Sequence, residues 1–478
     1  MTTLPSTMTL AALASVAVMF TLFGLASSRL ALRSPTDFIA ARNTMGTGTT
    51  AGTVLATSLG AWILFGPAEI ATWGGIAAVT GYAIAAMAPR LALIPLGLRM
   101  RRLMPEQIAM TEFVRLRFGR GMYRFALLVM LFFLIITVSA EITGMAILVA
   151  VVADIPLWMT AALVLGTTIV YTSSGGLRAS IRTDRLQILL ILPIIAALVL
   201  FAAWRLEGLL PALRLTQEAR PELLSFNFRP GIETAISLIL GLTATSLFNQ
   251  GYWQRVFAAR DDRALVRGFI IAALAVLPII MAFGLFGLVA VGLGKTDTPS
   301  IALFVVVLDA APTALAIAIV LMGLALVMSS ADTALNAIAS ILTADLPRAF
   351  PRLSAPRLLL SARLSALVVA IPALAIASQG YSVLYLFLLA NLFCVAAAPA
   401  MIVGMFSPYL RGNVAVASTA IGIVAGLALF PDPNFTRGYL MGSYLLALGM
   451  PCLLIIGSRL VRASQAKPFN FATLKTYA

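Results

Sequence analysis

The sequence predicts an all-α integral membrane protein of about thirteen transmembrane helices, and three observations carry that prediction. Of 478 residues, 61% are hydrophobic and only 11% are charged, against roughly half and a quarter in soluble domains. Mean hydropathy is +1.01. The apolar residues fall in long Ala/Leu/Ile/Val runs with only 9% aromatics, which favours helices over the alternating strands of an outer-membrane barrel. A soluble enzyme, a disordered chain and a disulfide scaffold are excluded.

About 20 apolar residues cross a bilayer. Applied along the chain, that length predicts spans at 8–27, 47–70, 75–97, 122–150, 157–175, 186–204, 230–250, 268–293, 312–344, 358–377, 381–405, 413–430 and 438–458. The leading MTTLPSTMTL has no basic residue. A cleaved signal peptide needs a basic start, so the first run is expected to be retained, with its N-terminus outside. An odd number of spans then puts the C-terminus inside. Lys and Arg divide accordingly, 26 in inner segments and six in outer loops, with Arg90 inside a span. That asymmetry supports N-out, C-in, and it explains the net charge of +15 without nucleic acid. No connecting segment is long enough for a soluble domain, so 1–478 reads as one membrane domain. The outer loop 205–229 reads as solvated, with room for a short helix. PEQIAMTEFVRLRFGR at 105–120 reads equally as an amphipathic surface helix or a basic anchor.

The chain has no histidine. That removes Ser-His triads, histidine zinc sites, haem ligation and histidine proton relays. Cys394 and Cys452 sit in apolar stretches and read as small hydrophobic residues. No nucleophile or metal motif remains, so the chain is not read as an enzyme and no organic cofactor is expected.

Function is expected where the spans are irregular. TAGTVLATSLGAWILFGPAEIATWGG at 50–75 is interrupted by Gly52, Gly60, Gly66 and Pro67. PGIETAISLILGLTATSLFNQ at 230–250 carries Gly241 and a polar half with Thr243, Thr245, Ser246 and Asn249. Broken helices free backbone carbonyls for ion coordination near the midplane. A pair of them opening two five-span blocks points to an inverted repeat, the first block at 47–204 and the second at 230–405. Segments 1–46 and 406–478 are then peripheral. The ninth span places Ser329, Asp332, Thr333, Asn336 and Ser340 at three- and four-residue steps, on one helix face. Such a stripe faces a cavity or other helices, not lipid; the bland alternative is hydrogen-bond glue between helices.

Four segments resemble the sodium:solute symporter family: DFIAARNTMG at 37–46, YTSSGGLRASIRTDRLQ at 171–187, WQRVFAARDD at 253–262 and LVMSSADTALNAIASILTADL at 326–346. The second and fourth are specific motifs. The resemblance implies the LeuT-like fold of two inverted five-helix blocks with broken helices. It implies sodium as coupling ion, held by the carbonyls of Ala56, Leu59 and Leu326 and the hydroxyls of Ser329 and Ser330. Five neutral oxygens suit a hard monovalent cation that must also be released. Asp184 matches the family's signature aspartate, which implies a second ion position or a role on the inner exit path; the alternative is a cytoplasmic charge paired with Arg182 or Arg185. Ser58 stands where some relatives carry aspartate. PEQIAMTEFVRLRFG and GAWILFGPAEI are similar to the urea-type branch.

The solute is expected to be small, polar and organic, with Glu69, Glu141, Thr243 and Asn249 as its candidate ligands; a carboxylate inside a membrane is a functional candidate by default. Thr245, Glu233 and Asn391 are further polar candidates, Trp73 reads rather as an interfacial anchor, and Glu69 is the carboxylate most expected to face the cavity. No rigid arginine clamp for an anion is evident, Arg90 beside Pro89 being the one arginine inside the core. The chain is thus expected to be a sodium-coupled symporter in the cell membrane, in contact with lipid, with no nucleic acid and no obligate protein partner. The alternatives are proton coupling through Glu69, Glu141 or Asp332, and a transporter-like sensor without net flux.

Overall fold

A computed structural model describes residues 4–29, 42–105, 110–309, 311–349, 355–462 and 468–476; residues 37–41 of the first resembling segment fall outside this set. The helices, in chain order, are α1 Ser6–Arg29, α2 Thr47–Ser58, α3 Trp62–Leu103, α4 Met110–Phe118, α5 Arg120–Ala153, α6 Leu157–Arg205, α7 Leu209–Ala219 and α8 Arg229–Phe248. They continue with α9 Gln250–Ala258, α10 Asp262–Gly292, α11 Ala302–Val307, α12 Thr313–Ala349, α13 Ala355–Ala377, α14 Val383–Phe406, α15 Gly412–Leu427 and α16 Leu440–Arg462. Among the described residues, eight helices are long and apolar enough to cross a membrane, and four more apolar helical stretches are shorter.

Two departures from a one-helix-per-span pattern matter. Helix α3 covers the end of one expected span and all of the next, kinked at Gly75, whose φ of 67° and ψ of −164° interrupt the helix. Only glycine adopts that backbone state readily, and a Cβ there would stand 2.3 Å from the Leu223 carbonyl oxygen. Helix α6 covers both expected spans at 157–175 and 186–204.

The helices pack in two groups. Helix α3 lies against α8 and α10, and α10 also against α2; in the other group α12 packs on α5, α6 and α13. Helix α14 joins α5, α8, α15 and α16. Membrane helices gain no hydrophobic drive from lipid and rely on close backbone approach at small residues. A Cβ on Gly81 would lie 2.1 Å from the Ala235 Cβ, and one on Gly287 would lie 2.0 Å from the Ala68 carbonyl oxygen. Overpacking of this kind costs about 1–3 kcal/mol. Gly287→Val is therefore expected to lower the thermal midpoint of the detergent-purified protein by several degrees. Gly166→Val, at a position with nothing within 4 Å, is the control that should not; equal midpoints for the two would contradict this packing.

The segment after α3 corrects the sequence reading. Helix α4 is not a surface helix: Phe113, Val114 and Phe118 are buried. Arg117 donates to the carbonyls of Gly404, Ser407 and Leu410. A guanidinium here satisfies acceptors at the C-terminal end of α14 and opposes its dipole. The loop 205–229 does contain a helix, α7, followed by a 3₁₀ turn at Pro221–Leu224.

Candidate functional site

Both irregular spans contain a break, the first between Ser58 and Trp62 and the second at Asn249 rather than at Gly241, which lies inside α8; the two have nearly the same backbone. Leu59 ends α2 with φ −95° and ψ 102°; Asn249 ends α8 with φ −83° and ψ 97°. An extended residue inside a helix orphans carbonyls on one side and amides on the other. The two sites answer this alike. The Trp62 indole donates to the Ser58 carbonyl at 3.1 Å, and the Trp253 indole to the Leu247 carbonyl at 3.0 Å. On the amide side, the Ala61 N–H donates to Glu141 Oε2 at 2.6 Å, while the Gly251 N–H donates to Asn249 Oδ1 at 2.9 Å. Gly60 is required at the first break, because a Cβ would lie 2.0 Å from Glu141 Oε1.

The breaks face one another across a cavity of about 100 Å³, lined among others by Ser58, Trp62, Arg90, Glu141, Thr245, Asn249, Tyr252, Ser330 and Asn391. Trp62 stacks on Tyr82, with centroids 5.5 Å apart, to form one wall. Ser58 donates to the Val54 carbonyl. It accepts from Arg90 Nε at 2.9 Å and lies 3.3 Å from the Tyr252 hydroxyl. Of the expected solute ligands, Glu141 and Asn249 line this cavity.

Glu69 does not. It lies in a second, larger cavity of about 960 Å³, with Trp73, Glu233, Tyr381, Ser382 and Phe435. The Ser382 hydroxyl donates to its carboxylate in one bifurcated hydrogen bond, 2.8 and 2.9 Å from the two oxygens, and Ser382 also caps α14. Glu69 thus ties α3 to α14 in a vestibule above the central cavity. Trp73 packs on Phe435, with centroids 5.9 Å apart, and Glu233 pairs with Arg229. Thr243 is absent from both sets of lining residues, and among the described residues its buried hydroxyl has no hydrogen-bond partner.

Beneath the first break, three helices converge on Asp184. Thr53 of α2 donates to Asp184 Oδ2 at 2.5 Å and Ser329 of α12 to Oδ1 at 2.8 Å. Arg255 of α9 completes the cluster at 3.3 Å, with both charged side chains fully buried, and donates to Thr333 at 3.0 Å. The sequence also offers Arg182 or Arg185 as a partner, whose side chains lie outside those described, and it counts Arg255 among the loop charges. Folding brings Arg255 inside because α9 is the short second half of a broken helix and turns its base into the core.

The oxygen donors that the sequence proposes for sodium, on Ala56, Leu59, Leu326, Ser329 and Ser330, lie on α2, its break and α12. Helices α2 and α12 pack together, and Thr53 and Ser329 share one carboxylate, each one helical turn from Ala56 and Leu326 respectively. Among the described residues, the Leu59 carbonyl accepts no protein hydrogen bond. The Ser330 hydroxyl bonds the Leu326 carbonyl at 2.9 Å and also reaches the Glu141 side chain. The polar stripe of α12 is buried throughout. Within it, Asp332 accepts from Thr172 at 2.7 Å and from Asn336 at 2.8 Å, so this carboxylate holds α12 to α6.

Two helix breaks that meet at one buried cavity are the arrangement of a membrane transporter rather than an enzyme. The sodium:solute symporter family model matches residues 38–422, and the chain belongs to that family. A spermidine transporter of Candida albicans, DUR31, is 26% identical over 415 residues, covering 82% of this chain and 74% of that one. Among solved structures, an outward-open, substrate-bound sodium-coupled sialic acid symporter superposes with a TM-score of 0.77 at 19% identity, covering 97% of this chain and 98% of that one. Mhp1, a nucleobase–cation symporter in a closed conformation with bromovinylhydantoin, superposes at 0.58 and 18% identity, covering 93% and 98%. The fold is that of the LeuT-like symporters, and the chain is a multi-pass membrane protein.

Proposed function

We propose that this transporter couples sodium flow down its gradient to uptake of a small polar organic solute by alternating access. The observation that carries the reading is the meeting of the two breaks at one cavity, with the oxygen-rich face of α12 beside the first. Sodium would be held by the carbonyls of Ala56, Leu59 and Leu326 and the hydroxyls of Ser329 and Ser330. The unsatisfied Leu59 carbonyl supports this cage, because an orphaned acceptor in a membrane core is costly without a cation or donor. Bound sodium draws α2 toward α12 and thereby favours the conformation whose cavity accepts solute. Solute binds against Glu141, Asn249 and their neighbours. Reorientation of the α2–α3–α8–α10 group then opens the side of the Asp184–Arg255 cluster, and both ligands leave.

Asp184 acts in this scheme as the latch of the inner path. Both of its oxygens are engaged by Thr53, Ser329 and Arg255, which supports a structural lock over a second ion position. The thirteen-span topology, N-out and C-in, places that latch on the cytoplasmic side of the cell membrane. The 47–204 and 230–405 blocks are the two repeats.

Purified protein in proteoliposomes tests the reading. An inward sodium gradient should drive accumulation of a labelled solute from a panel of small polar compounds, and dissipating the gradient should abolish it. Accumulation driven by a pH gradient in sodium-free buffer would instead assign coupling to a proton, with Glu141 as the buried carboxylate beside the break. Binding without flux under either gradient would leave a sensor.

A further inference from the structure

Among the described residues, Arg90 lines the central cavity with no ion-pair partner. Arg90 is 2% exposed, yet its side chain lines the cavity. Nε donates to Ser58 Oγ at 2.9 Å, and Nη1 donates to the Ala86 carbonyl. A guanidinium has five N–H donors, so among the described residues the larger part of its donor set is not committed. Among the described residues, no carboxylate approaches within salt-bridge distance of Arg90.

Comparisons within the chain sharpen this. Arg255 is equally buried, and Asp184 neutralises it; Arg117 is buried without an anion among the described residues but spends Nε, Nη1 and Nη2 on three carbonyls. Glu141 lines the same cavity, but its carboxylate turns to the Ala61 N–H and Ser330. Charge buried in a membrane is expensive unless it pairs or serves a ligand. Arg90 sits beside Ser58, one residue before the extended Leu59, where the solute would meet the first break.

From this geometry we infer that the transported solute carries a carboxylate, held by the free donors of Arg90. The inference rests on the symporter reading and narrows it. A planar guanidinium fork matches a carboxylate in a bidentate pair. Glu141, on the other side of the break, takes a donor at the opposite end of the solute, such as an ammonium or amide. The small cavity suits a compact zwitterion or short carboxylic acid. The same buried cation repels a polyamine, which separates this site from the substrate of the Candida relative.

The test is a binding panel on the purified full-length protein, read by thermal shift and by fluorescence of Trp62 and its fellow tryptophans. The probes are glycine, L-alanine, L-proline, pyruvate, urea and spermidine, each with sodium and with choline replacing it. A carboxylate-bearing probe is expected to stabilise the wild type, and to do so more strongly in sodium. Arg90→Gln should weaken that probe on the order of 30-fold or more, and Arg90→Lys should restore part of the loss. A size-exclusion profile matching the wild type shows that each variant is folded; should Arg90→Gln misfold, Arg90→Lys and the wild-type panel still decide. Stabilisation by urea or spermidine alone overturns the inference, as does no response to any carboxylate, or unchanged carboxylate affinity in a folded Arg90→Gln. Absence of any sodium effect in the wild type, by contrast, counts against the symporter reading itself.

Discussion

Replacing Arg255 with Gln is expected to destabilise the protein by about 3–5 kcal/mol, the cost of leaving one member of a buried ion pair unpaired. The size follows from the burial: Arg255 and Asp184 are both fully inaccessible at 3.3 Å, so neither charge can turn to water. Thr53 and Ser329 would still donate to Asp184, but two hydroxyls do not neutralise a carboxylate. Chemical or thermal denaturation of the detergent-purified protein measures the loss. The double variant Asp184→Asn with Arg255→Gln should recover a substantial part of it, because no lone charge remains and the hydrogen-bond geometry is largely kept. A single variant as stable as the wild type would show that the pair holds nothing together. In transport, the double variant should leak solute toward the inner side, since the latch joining α2, α6, α9 and α12 is weakened without being emptied.

The second large effect is expected from replacing Ser329 and Ser330 together with alanine. On the proposed cage this removes two of five oxygens. A hydrogen bond or dipole contact to a charged group contributes about 1.5–3 kcal/mol. Loss of both should therefore weaken sodium by on the order of 100-fold or more. Sodium-driven uptake in proteoliposomes should fall to background while the protein still purifies as a folded species. Ser329 also serves Asp184 at 2.8 Å, so Asp184→Asn is the necessary companion. If Asp184→Asn reproduces the whole effect, the serines act through the latch. If sodium dependence survives the double serine variant, the cage lies elsewhere.

The irregular spans were readable because their signals are local. Gly60 interrupts an otherwise apolar span, so the first break is written into neighbouring residues; the second span was legible as irregular from Gly241 and its polar half, but its break falls at Asn249 while Gly241 stays helical. The polar stripe of α12 was readable for the same reason, since its spacing follows the helical period alone. The family motifs at 171–187 and 326–346 carry Asp184 and Ser329, and these two do meet, although 145 residues separate them. Glu141 was marked as a buried carboxylate, but its place as the cap of the first break was not, because Ala61 lies 80 residues away.

Three readings changed once the helices were packed. Glu69 follows the break in sequence, yet the first turns of α3 carry it to the vestibule and to Ser382, 313 residues away. Arg255 sits in a basic-looking segment, and charge counting assigned it to a loop; the half-helix α9 buries it. In sequence Arg90 reads only as an arginine beside Pro89, since nothing nearby in the chain shows that α3, after its kink at Gly75, brings it back against Ser58, 32 residues earlier.

By itself, then, the sequence determined the membrane environment, the helical fold class, the two irregular spans and the family, because hydropathy, helical period and short motifs are properties of adjacent residues. The tertiary structure alone decided which charges pair and which line the central cavity. Inside a membrane a charge must find its partner across helices, and that partner is set by packing between segments far apart in the chain.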